Sequence, residues 1–130
     1  MAASRKISDA EWDVMEILWE TGACTAADVI ALLAPTHDWS HRTVRTLLAR
    51  LVEKSALEYD VDGPRYIYRP AVRREQCVRQ ESRLFAEKIF RGDVGTLLAH
   101  FVTDAALSAD EIDNLRQLLD QKKTHKRKNR

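Results

Sequence analysis

Along the first half of the chain, apolar residues recur three and four positions apart, the spacing that puts them on one face of a helix. In SDAEWDVMEILWETG these are Trp12, Met15, Leu18 and Trp19. Ser8 followed by Glu11 has the spacing of a capping box, and Gly22 is a natural stop. TAADVIALLAPT predicts a second helix, capped by Thr25, with Val29, Leu32 and Leu33 on its apolar face and Pro35 as terminator. A third, capped by Ser40, carries Val44, Leu47, Leu48, Leu51 and Val52 on one side. Three short helices with tight turns between them have the rhythm of a helix-turn-helix core.

After the third helix the period changes from helical to alternating. Leu57, Tyr59 and Val61 alternate, Tyr66, Ile67 and Tyr68 follow, and Asp62-Gly63-Pro64 between them is turn chemistry. A β-hairpin directly after a helix-turn-helix predicts a winged helix. From residue 72 the helical period returns. Cys77, Leu84, Phe85, Ile89 and Phe90 mark one helix ending at Gly92. VGTLLAHFV is a short apolar one, and Ser108 with Glu111 opens a third that carries Ile112, Leu115, Leu118 and Leu119. The expected fold class is therefore mostly α with a small β-hairpin. The expected division is a winged domain over 1–71, a helical dimerisation region over 72–121 and a basic disordered tail over 122–130.

The three C-terminal helices have little core of their own. Pairing with a second copy through Leu84, Phe85, Ile89, Leu97, Leu98, Phe101, Ile112, Leu115, Leu118 and Leu119 is favoured over folding back on the winged domain, since paired readers match paired DNA half-sites.

Composition adds one thing to this picture. The chain has 130 residues and a formal net charge of only +1, but the charge is segregated. Residues 1–39 hold two Lys/Arg against seven Asp/Glu, whereas residues 40–74 hold eight against four. The basic surplus coincides with the third helix, where Arg42, Thr43, Arg45, Thr46, Ala49 and Arg50 fall broadly opposite the apolar stripe. A solvated face normally mixes signs, and here Glu53 enters only at the far end. Small Thr46 and Ala49 allow close approach to a base edge, and the helix N-terminus with Ser40 favours a phosphate. Arg65 beside the hairpin turn is placed for a phosphate or the minor groove, and Tyr66 and Tyr68 read as packing residues. Arg5 and Lys6 are weaker phosphate candidates.

Other classes find less support. His37, His41, His100 and His125 have no HExxH or HxH spacing, and no glycine-rich phosphate loop is present, so neither an enzyme nor a cofactor is expected. Cys24 and Cys77 lie far apart without a CxxC partner and read as small buried hydrophobes, with no metal site expected. No apolar run approaches the length of a membrane span, and MAASRKISDAEW has no signal-peptide core, so a cytoplasmic protein that is not membrane-bound is expected. Two alternatives stay open: a winged-helix sensor governed by a small ligand, metal or thiol, and a module whose wing contacts another polypeptide.

The run over residues 7–71 resembles the penicillinase-repressor family, the BlaI/MecI-type transcriptional repressors, through its ISDAEW opening, the DWS-x-x-T-V-x-T-L-L-x-R-L run and the Y-x-Y-x-P wing end. The resemblance continues more loosely to about residue 120. It implies a dimeric winged-helix repressor on dyad-symmetric double-stranded operator DNA, controlling resistance or stress genes. It also implies a membrane-bound sensor protease as partner, with cleavage before a phenylalanine in the dimerisation region, here His100–Phe101. Four features depart from the family pattern. His41 stands where proline follows the DWS serine, Ser55 where glycine ends the recognition helix, and His100 where asparagine is common. The C-terminal cysteine cluster of the copper-responsive branch is absent, which disfavours copper sensing.

Overall fold

The computed structural model describes residues 6–128. Its elements run α1 (Asp9–Thr21), β1 (Cys24–Thr25), α2 (Ala26–Leu33), α3 (His41–Glu53), β2 (Leu57–Asp62), β3 (Arg65–Pro70), α4 (Arg74–Phe90), α5 (Val94–Asp104) and α6 (Ala109–Lys128). The winged helix expected from the pattern is present.

The helices of the winged core start on the caps their sequence provides. Ser8 Oγ accepts from Glu11 N while Glu11 Oε1 accepts from Ser8 N, and Thr25 and Asp28 repeat the arrangement on α2. These bonds satisfy amides that the first turn otherwise leaves without partners. Val14, Met15 and Leu18 of α1, Val29 and Leu33 of α2, and Val44, Leu47, Leu48 and Leu51 of α3 close into one core with Leu57 of the hairpin. Leu32, expected on the buried face, is exposed. Ala26 takes that place, because an eight-residue helix aimed by Val29 and Leu33 turns Leu32 away from the core.

The hairpin pairs Asp62 with Arg65 across a two-residue connection, in which Gly63 takes φ +62°. Glycine reaches that left-handed region at no steric cost. The sheet has three antiparallel strands in the order β1-β3-β2. The first of them, too short to show in the pattern, pairs Cys24 with Tyr68 and Thr25 with Ile67.

The chain divides into two compact units, one running to Leu84 and the other from Phe85. The division falls inside α4 rather than between residues 71 and 72. The reason is local anchoring in the first unit. Trp19 Nε1 donates to Val72 O at 3.0 Å, the Arg74 guanidinium grips both oxygens of Glu16 at 2.7 and 3.2 Å, and Cys77 joins the core. Cys24 and Cys77 are both buried free thiols.

In the second unit the Ser108/Glu111 capping box opens α6 as the sequence predicts, and Asp93, not anticipated as a cap, closes the start of α5. The basic run expected as disordered tail continues α6 as far as Lys128. It contains no glycine or proline, lysine and arginine are good helix formers, and cations suit the negative end of a helix. Among its described residues α5 buries none. Nine of the ten positions expected at a dimer contact are exposed, from Leu84 through Phe101 to Leu119, and Leu97 is half-buried. Val94 and Val102, not anticipated there, are exposed as well.

Candidate nucleic-acid interface

The basic face of α3 is built by its own apolar stripe. Burial of Val44, Leu47, Leu48 and Leu51 fixes the rotation of the helix, which leaves His41, Arg42, Thr43, Arg45, Thr46, Ala49 and Arg50 exposed together. Arg42, Arg45 and Arg50 form no ion pair among the described residues, whereas Arg65, Arg69 and Arg74 do. Unpaired guanidiniums on a uniform face keep their full charge and all their donors for an outside partner.

Both ends of this helix are held. At the N-terminus Ser40 Oγ accepts from Thr43 N at 3.1 Å and bonds Thr43 Oγ1 at 3.0 Å, so the hydroxyl is the cap. The preceding turn is tied to α1 by His37, whose Nε2 donates to Asp13 Oδ2 at 2.9 Å and whose ring packs 4.3 Å from that of Trp39. At the C-terminus the N–H groups of Ser55 and Ala56 donate to Val52 O and Leu51 O, the Schellman pattern. Ser55 takes φ 61° there, the conformation a glycine adopts without strain.

Lys54 extends from the same helix end to Glu11 Oε1 and to Lys6 O at 2.8 Å. Burial works to raise the Glu11 carboxyl, and the Lys54 hydrogen bond and charge with the Ser8 bonds outweigh it, holding Glu11 below the usual range. Neither the Lys54 contact nor the His37 contact was legible in sequence, because each partner lies more than twenty residues away.

The wing stands beside α3. Arg65 is exposed at its tip, 3.2 Å from Asp62, and Arg69 of β3 is paired with Glu58 and Asp60 of β2. Tyr68 packs on the core as expected for a packing residue. Tyr66 packs within the hairpin, stacked on Tyr59 at 4.5 Å, and both are about half exposed. Burial pushes the Tyr68 phenol upward, against the pull of the Arg45 charge. Lys6 is exposed just before α1, and Arg5 lies outside the described residues.

A buried trihelical core that presents an acid-free basic face beside an arginine-tipped hairpin defines a winged-helix DNA-binding protein of the transcription-regulator class. The family model described as "Penicillinase repressor" matches residues 7–121, and the chain belongs to that family of transcriptional repressors. It is 31% identical to the penicillinase repressor of Bacillus licheniformis over 122 residues, covering 94% of this chain and 95% of that protein. To the methicillin resistance regulatory protein MecI of Staphylococcus aureus (strain N315) it is 34% identical, over 90% of this chain and 95% of the relative. The solved DNA-binding domain of the repressor BlaI matches 52% of this chain and 83% of its own, at 37% identity and a TM-score of 0.50. The second unit carries His100 and Phe101 inside α5, with His100 Nε2 3.3 Å from Asp104 Oδ2. Among the described residues no helix is long and apolar enough to cross a membrane.

Proposed function

We propose that this protein represses β-lactam resistance genes by binding dyad-symmetric operator DNA as a homodimer, in the cytoplasm. The observation that carries the reading is the face of α3: three arginines without ion pairs among the described residues, beside small Thr46 and Ala49. Arg42 and Arg45, in the first turns, contact base edges in the major groove. Thr43, Thr46, Ala49 and Arg50 line the approach, and Ser40, His41 and the first amides of the helix meet a backbone phosphate. Arg65 reaches the adjacent backbone or minor groove, and Arg5 and Lys6 add charge near α1.

Apolar side chains from the end of the first unit through the second supply the contact between copies: exposed Leu84, Phe85 and Ile89 of α4, half-buried Leu97 with exposed Leu98 and Phe101 of α5, and exposed Ile112, Leu115, Leu118 and Leu119 of α6. A stretch of exposed large apolar residues this long marks an interaction surface. A membrane-bound sensor protease that cuts His100–Phe101 would detach α6 and weaken the dimer.

The reading is tested by footprinting the protein on the DNA upstream of its own gene. Two protected half-sites related by a dyad support it. Protection no better than on random DNA of the same length overturns it.

A further inference from the structure

Between the wing, the first turn of α2 and α3 lies an open hollow of about 440 Å³. Arg45 of α3, Arg65, Tyr66 and Tyr68 of β3, and Ala27 and Asp28 of α2 line it. The volume falls within the range of small-molecule sites. Two guanidiniums from separate elements border the space. Arg45 has no ion pair among the described residues, and the Arg65–Asp62 pair is more than half exposed on both sides, a kind of pair that exchanges partners readily. One acid, Asp28, shares the hollow. Its Oδ2 accepts from Thr25 N, which leaves acceptor capacity on the carboxylate.

We propose that this hollow binds a small planar aromatic carboxylate bearing a hydroxyl or amino group, and that the occupant competes with DNA for Arg45 and Arg65. The carboxylate takes a guanidinium in the bidentate geometry the two groups share. The ring lies against the Tyr66 and Tyr68 wall, and its hydroxyl or amino group donates to Asp28. A bare phosphate suits the hollow less well, because its higher charge meets the Asp28 carboxylate. The inference rests on the DNA-binding reading of Arg45 and Arg65 and adds direct relief of repression by a ligand.

The test is a calorimetric titration of the full chain, free of DNA, with 4-hydroxybenzoate, 4-hydroxybenzamide and inorganic phosphate. The expected result is saturable binding of 4-hydroxybenzoate with Kd of roughly 1 mM or tighter. The amide and phosphate should bind at least ~10-fold more weakly. Amide NMR shifts induced by 4-hydroxybenzoate should map to Ala27, Asp28, Arg45 and the Arg65–Tyr68 strand. Ala27→Phe, which fills the hollow from an exposed position on α2, should abolish binding with unchanged circular dichroism. Should that variant unfold, Tyr66→Ala removes one wall instead and should weaken binding at least ~10-fold.

Absence of saturation by about 10 mM overturns the proposal, as do shifts that map elsewhere or phosphate binding as tight as the aromatic acid. Operator binding measured without ligand separates the two readings. Ligand binding with no operator binding overturns the function and leaves the site. Operator binding with no ligand binding overturns the site alone.

Discussion

Glu11, 2% exposed at the start of α1, accepts a hydrogen bond from Lys54, the C-cap of α3. The contact joins the first helix of the winged unit to the last turn of α3. Lys54→Met keeps most of the aliphatic stem and leaves the carboxylate buried without its counter-charge, which should cost about 2–4 kcal/mol at pH 7.

Because the pair holds Glu11 below its ordinary value, its contribution is complete above about pH 4.3 and is lost as pH falls through the lower folded-state value. Urea unfolding of the two proteins at pH 7 and at about pH 3.5 checks this, and the gap between them should narrow in acid. A gap of equal size at both pH values would contradict it.

Ser55 follows the C-cap of α3 at φ 61°. A non-glycine residue there carries a steric cost of about 1–2 kcal/mol, partly offset by the extra freedom glycine has when unfolded. Ser55→Gly should therefore stabilise the protein by about 0.5–1 kcal/mol and raise Tm by a few degrees. Operator affinity should stay unchanged. A lower Tm would show that the serine side chain makes a compensating contact.

Leu115 and Leu119 lie one turn apart on α6 and are both exposed in the single chain. Leu115→Glu/Leu119→Glu should convert the protein to a monomer in sedimentation experiments while leaving circular dichroism intact. Loss of the second half-site's effective concentration should weaken operator binding ~100-fold or more. An unchanged sedimentation coefficient would move the dimer contact away from this face.

The sequence made the winged unit legible where a local rule was at work. The capping box at Ser8 and the N-cap at Thr25 are relationships within three residues, and the Gly63-Pro64 turn is a two-residue one. The apolar period of α3 fixed which arginines face outward. Long-range contacts left no such trace. β1 is two residues held by Tyr68 and Ile67, more than forty positions on. The extension of the first unit to Leu84 depends on Trp19, Glu16 and Cys77 meeting residues whose approach no period encodes. The helical run to Lys128 was missed because its charge density suggests a tail, while its intrinsic propensity favours helix.

The most direct test of the account is a titration of the chain against its own upstream DNA at two salt concentrations, beside Arg42→Ala/Arg45→Ala. The account predicts tight binding of one dimer, with affinity falling steeply as salt rises. The variant should bind at least ~10-fold more weakly, with a reduced salt slope and an unchanged melting temperature. Equal affinity for the two proteins, or binding indifferent to salt, would contradict it and move the partner of α3 away from DNA.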